Sequence, residues 1–93
     1  MDEVLLSKIR LGVIAQLLSG QWLTFSELLR STQTTNGNLG AHLAKLVDAG
    51  YVVEEKSFVK RRPQTRYRLT EKGRAAFADH VRQMQALLGG ALG

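Results

Sequence analysis

Lys60-Arg61-Arg62, followed by Pro63, Arg66 and Arg68, is the densest run of anion-binding side chains in this 93-residue sequence. Clustered ammonium and guanidinium groups attract phosphate, and a planar guanidinium can bond it through two parallel N–H groups. Residues 56–74 hold eight of the thirteen basic residues and one acidic residue, Glu71. The rest of the sequence holds five basic and seven acidic residues. The net charge of +5 is therefore one basic element set on a slightly acidic body. Such asymmetry points to a polyanion met through that element.

A second polar set lies upstream: Ser31, Gln33, Thr34, Thr35, Asn36 and Asn38. An Asn can bond N6 and N7 of adenine in a major groove, and each good pair discriminates by about 1–3 kcal/mol. His42 follows Asn38 by four residues, on the same side of a helix, and Lys45 lies about one turn further on. His42 is a candidate for phosphate or base contact, and Lys45 for phosphate contact. His80, beside Val81 and one turn after Phe77, reads as a packing or interface residue. Two isolated His without Cys make no metal set. No glycine-rich phosphate loop and no nucleophile–base pair is visible, so catalytic and cofactor-binding residues are expected to be absent and the protein is expected not to be an enzyme.

Composition supports this frame. With 44% hydrophobic and 23% charged residues, the chain reads as one globular domain over residues 1–93. No apolar run approaches the roughly 18 residues of a membrane span. Met1-Asp2-Glu3 is acidic, unlike a signal peptide, and the lack of Cys suits a reducing compartment. A cytoplasmic location without membrane contact is expected.

The elements that position these residues follow from periodicity. Residues 3–19 predict one helix, with Leu6, Ile9, Val13 and Leu17 as its apolar stripe. Gln21-Trp22-Leu23 predicts a short extended piece. Thr24 and Glu27 form a capping box opening a short helix that ends near Arg30. Residues 31–34 form a polar turn, and Thr35 caps a helix over 36–49 with Leu39, Leu43, Leu46 and Val47 inward. Gly37 and Gly40 weaken that helix but strip bulk from its side, permitting close approach. Residues 51–58 predict a strand, 59–64 a loop and 65–69 a second strand, with Thr65, Tyr67 and Leu69 opposite Arg66 and Arg68. Thr70 caps a last helix over about 71–88, with residues 88–93 fraying.

This is a mainly α (α+β) fold of order α-β-α-α-β-β-α. Its helix-turn-helix spans about 24–49 and its basic hairpin, or wing, about 51–69. The stretches TFSELL, NGNLGAHLAKLVDAGYV and RRPQTRYRLTEKGR together resemble stand-alone winged-helix transcriptional regulators of the MarR/ArsR-like superfamily, over nearly the whole chain. The resemblance implies a winged helix, sequence-specific binding of double-stranded DNA and homodimers. At Gly40-Ala41 the sequence departs from relatives that often carry larger polar residues.

The expected DNA-binding residues are Gln33, Thr34, Thr35, Asn36, Asn38, His42 and Lys45 in the helix-turn-helix, and Lys60, Arg61, Arg62 and Arg66 in the wing. The recognition helix, 35–49, would lie in the major groove. The wing, 58–66, would meet the backbone or the minor groove, its tip stiffened by Pro63. Val4, Leu11 and Leu18 form a second apolar line on the first helix, and Met84, Leu87 and Leu88 a surplus on the last. These six predict a two-fold dimer interface and a pseudo-palindromic site. The competing reading is a winged helix used for protein–protein contact or for RNA, which a basic wing disfavours.

Overall fold

The first local decision is made by Asp2 and Ser7. In the computed structural model, which describes residues 1–92, Asp2 Oδ1 accepts the Val4 N–H at 3.0 Å and opens a single 3₁₀ turn, Glu3–Leu6. Ser7 then takes an extended backbone and its Oγ accepts the Arg10 N–H at 3.2 Å. Helix α1 therefore spans Lys8–Leu17 rather than starting at residue 3. The break rotates the predicted stripe. Leu5 is buried and Leu6 is 57% exposed, while α1 buries Arg10, Val13, Ile14 and Leu17.

Strand β1, Leu23–Thr24, lies two residues later than the predicted extended piece began. Helix α2, Phe25–Thr32, starts from the expected capping box: Thr24 Oγ1 accepts the Glu27 N–H at 3.1 Å, and Glu27 Oε1 accepts the Thr24 N–H at 3.0 Å. Helix α3, Asn36–Asp48, is capped by Thr35 and buries Leu39, Leu43 and Leu46. It ends on Gly50, whose φ of 79° is the left-handed conformation that glycine adopts freely. There Gly50 N–H bonds Val47 O at 2.9 Å and Tyr51 N–H bonds Leu46 O at 3.0 Å, closing the helix with paired carbonyls.

Strands β2, Val52–Val59, and β3, Arg62–Leu69, form a hairpin, and β1 adds to the other edge of β3 in the order β1-β3-β2. All pairing is antiparallel, with Val52 opposite Leu69, Phe58 opposite Pro63 and Leu23 opposite Tyr67. The loop expected over 59–64 is shorter: only Lys60 and Arg61 lie outside the strands. Pro63 is a strand residue where β3 has no β1 neighbour, so its missing N–H faces an open edge.

Helix α4, Glu71–Leu92, opens from Thr70, whose Oγ1 accepts the Gly73 N–H at 3.0 Å and donates to Gly50 O at 2.7 Å. It runs past the predicted end near Leu88. Gly89 and Gly90 lower helix propensity by about 1 kcal/mol each, which does not stop it. Of the segment expected to fray, Gly93 lies outside the described residues.

The core joins Leu5, Val13, Ile14 and Leu17 to Leu28, to the α3 stripe and to Val52, Tyr67 and Leu69 from the sheet. One sheet face is thus buried and the other carries Arg66 and Arg68, as the alternation predicts.

Candidate nucleic-acid interface

Gln33 ends α2 in a left-handed backbone, φ 53°, and this single residue makes the turn into α3. A non-glycine residue there costs roughly 1–2 kcal/mol. Ser31, expected in the turn, belongs to α2. Its hydroxyl donates to Glu27 O or Leu28 O and meets Gln16 Oε1 of α1, so it ties two helices together. Gln33, Thr35, Asn36 and Asn38 are exposed and Thr34 is half-buried. Thr35 Oγ1 accepts the Asn38 N–H at 3.2 Å, leaving its hydroxyl hydrogen free to donate outward. The outer side of α3 continues through Ala41, Ala44 and Lys45, all exposed. A Cβ added at Gly37 or Gly40 would meet nothing within 4 Å. The smallness of this helix therefore serves no contact within the fold.

His42 does not share the outward face of Asn38. It is half-buried, and its Nδ1 lies 2.8 Å from Nη1 of Arg10. Arg10 is 9% exposed and its Nε donates to Val4 O at 2.6 Å. A guanidinium only donates, so Nδ1 must be the acceptor and the ring is neutral. Burial, then the charges of Arg10 and Lys45, hold the imidazole pKa below its ordinary 6.5. The folded protein thus binds fewer protons at this site than the unfolded chain. The stability so gained is complete above the unfolded pKa and is lost as pH falls through the folded one. Wild-type protein is expected to lose more melting temperature than His42→Gln between about pH 7.5 and 5, because the Gln amide oxygen accepts from Arg10 without titrating. Equal losses in thermal melts would exclude the Arg10–His42 contact as the acid-sensitive group.

The basic residues of 56–74 separate into two groups. Arg66 meets Glu55 through Nη2 at 2.6 Å and Nε at 2.8 Å, and it lies 4.4 Å from the Trp22 ring centre. Arg68 lies over the same ring at 4.7 Å. Arg66, expected on DNA, is engaged on the sheet's outer face by an aromatic ring and a carboxylate. Arg74 Nη2 donates to Leu18 O at 2.9 Å, closing the end of α1. Lys72 lies over the Tyr51 ring, and Lys56 is 3.8 Å from Glu54. Lys60, Arg61 and Arg62 are exposed and, among the described residues, make no ion pair. Lys60 (φ 52°) and Arg61 (φ 68°) fill both central positions of the hairpin turn in left-handed backbone. A turn of that form favours Asn-Gly. Among the described residues Gln33, Lys60 and Arg61 are the non-glycine residues with positive φ, and all three lie in the candidate interface.

A family model of the winged helix DNA-binding domain matches residues 9–88 of this chain. The chain belongs to the winged-helix DNA-binding domain family. An uncharacterized protein of Methanocaldococcus jannaschii is 35% identical to this winged-helix domain over 81 residues, 87% of this chain and 88% of that protein. The solved structure of a transcriptional regulator homologue from Pyrococcus horikoshii is similar with a TM-score of 0.87 at 27% identity, covering 97% of this chain and 89% of that one. Bacillus subtilis PadR, solved in complex with operator DNA, shares the fold with a TM-score of 0.72 at 15% identity, over 81% of this chain and 47% of that one.

The winged-helix domain also leaves apolar surface outside its core. Val4 and Leu18 are half-buried against the domain's own core, as is Leu11, which in addition lines a groove between α1 and α4 of about 400 Å³. Gly12, Phe77, Val81 and Met84 continue that groove. His80 lines it too. It is 4% exposed, and its Nδ1 has no hydrogen-bond partner among the described residues. Met84, Leu87 and Leu88 are 38%, 62% and 54% exposed. No described helix is long and apolar enough to cross a membrane, and no group of three or more His, Cys, Asp or Glu among the described residues could hold a metal. Two features escaped the sequence reading: the Trp22 ring as a seat for two arginines, and the exposure of Phe58. The first depends on β1 pairing with β3 across more than forty residues, which no local pattern encodes.

Proposed function

We propose that this protein is a sequence-specific regulator of transcription that binds double-stranded DNA as a homodimer. Helix α3 reads the major groove through Asn36 and Asn38, with Gln33, Thr34, Thr35 and Lys45 on the backbone or base edges. The wing tip, Lys60 to Arg62, meets the backbone or the minor groove. The observation that carries this reading is the tip itself. Two cations occupy backbone conformations that disfavour them, at a point of the basic run where, among the described residues, no carboxylate answers them. Strain of this kind gathers at functional sites. Winged-helix regulators of more than one kind share the fold, PadR proteins among them. The narrower MarR/ArsR-like grouping is not needed for the mechanism.

Titration of mixed-sequence duplex at low and moderate salt tests the reading. Affinity should fall steeply with salt, by about one unit of log–log slope per phosphate contact. Selection from random duplex should then enrich two half-sites about 34 Å apart. Failure to bind duplex at low salt would refute the proposal in favour of a protein-contact module. Asn38→Ala should alter the selected sequence, weakening discrimination at one base pair by about 1–3 kcal/mol. An equal loss on every duplex would make Asn38 a positioning residue.

The dimer is supported by the groove between α1 and α4 and by the exposed leucines continuing from it. Light scattering should give a dimer at micromolar concentration and a folded monomer for Met84→Asp/Leu88→Asp. A monomeric wild type would sink the two-fold arrangement. The protein is assigned to the cytoplasm on the strength of DNA as its partner.

A further inference from the structure

Phe58 is the most exposed large apolar side chain among the described residues, at 78%. It stands in β2 two positions before Lys60, about 7 Å behind the turn. Its cross-strand partner is Pro63, also exposed. Side chains directly opposite on one face of a hairpin touch, so ring and pyrrolidine make one apolar ridge. Alternation puts the ridge on the face of Val52, Tyr67 and Leu69, the face that the helices cover at the root of the hairpin. Phe58 therefore lies beyond the body on the face that the helices cover at the root, and Lys60, Arg61 and Arg62 stand immediately beyond it. The ring contributes nothing to the core, so the fold does not account for it.

We infer that Phe58, backed by Pro63, is a wedge that enters a base step of the DNA minor groove beside the charged tip. The inference rests on the DNA-binding reading above and adds a specificity-determining residue to it. The cations draw the tip toward the groove, where phosphates on both walls deepen the negative potential. An aromatic ring delivered there finds little apolar surface except the faces of bases. Reaching a base face means parting two stacked pairs, and proteins that insert Phe or Pro in this way kink the duplex by roughly 20–90° toward the major groove. Pyrimidine–purine steps part most readily. A position that no hydrogen bond reads thereby acquires a sequence preference.

The test uses the full chain and a duplex of about 30 base pairs, obtained by selection and labelled at both ends for energy transfer. A second duplex carries 2-aminopurine at the steps outside the half-sites. Wild type should shorten the end-to-end distance and raise 2-aminopurine fluorescence at one such step. Phe58→Ala should fold normally and bind about tenfold more weakly with the salt slope unchanged, because every cation is retained. It should also lose the bend, the fluorescence rise and the enrichment of a pyrimidine–purine step in repeated selection. Phe58→Leu should restore most of each. A bend and fluorescence rise that persist in Phe58→Ala, or that are absent from bound wild type, would overturn the wedge while leaving DNA binding intact. Absence of duplex binding altogether would overturn both.

Discussion

Exchanging Lys60-Arg61 for Asn-Gly is expected to make the protein harder to unfold and poorer at holding DNA. The two effects come from different atoms. Both residues sit at positive φ, where a side chain with a Cβ loses roughly 1–2 kcal/mol. Asn-Gly is the pair this two-residue turn prefers. Against that gain, glycine's freedom in the unfolded chain costs about 0.5–1 kcal/mol. A net stabilisation of about 1 kcal/mol would raise the melting temperature by roughly 4–8 °C. The lost charges act on DNA alone. Two fewer phosphate contacts per protomer, four per dimer, lower the salt slope by about four units and the affinity near physiological salt roughly a thousandfold. Thermal melts and duplex titrations on the same sample check both. Unchanged affinity would remove the tip from the interface. A lower melting point would show that the turn does not have this geometry. The opposed signs matter, because a stabilised protein cannot have lost DNA binding by misfolding.

Gly73→Ala should be among the most damaging single substitutions of a small residue. A Cβ at Gly73 would stand 2.2 Å from Tyr51 O, 2.9 Å from its carbonyl carbon and 2.8 Å from Leu69 Cδ1. Leu69 could rotate; the carbonyl cannot, because it accepts the Thr70 N–H at 3.0 Å. The first turn of α4 would have to withdraw from the start of the wing, straining the Thr70 bond to Gly50 as well. Overpacking against backbone of this kind costs about 3 kcal/mol or more, a melting point lower by roughly 15 °C. Gly37→Ala is the control. It gains helix propensity in open space and should stabilise by about 0.5–1 kcal/mol. If both substitutions moved stability alike, propensity and not the Tyr51 contact would govern position 73.

What the sequence made legible was whatever depends on near neighbours. The caps at Thr24, Thr35 and Thr70, the α3 stripe and the alternation of Tyr67 and Leu69 with Arg66 and Arg68 are all set within a few residues. The break at Ser7 was not. Serine is tolerable within a helix, and it becomes a cap here because Asp2 is bound by Tyr51 and Val4 O by Arg10. His42 illustrates the same limit. Four-residue spacing from Asn38 suggested a shared face, but the residue that claims its ring is thirty-two positions away in α1. For Arg66 the face was legible and the occupancy of that face was not, since Trp22 arrives through β1 and Glu55 through β2. In the wing, Pro63 suggested a loop. An open strand edge accepts proline as well as a loop does.

The pairing of β2 with β3 also limits how this arm can change length. A residue added to each strand would keep the root as it is and turn everything beyond the insertion over, since side chains alternate between faces. Phe58 and Pro63 would then leave the face of Val52, Tyr67 and Leu69, and the residues of the opposite face would replace them. Two residues added per strand restore the facing and move the tip outward by about 7 Å, close to the rise of two base pairs. A natural or designed series of such wings should therefore fall into two classes by the parity of strand length, one class presenting this ridge to the duplex and the other hiding it.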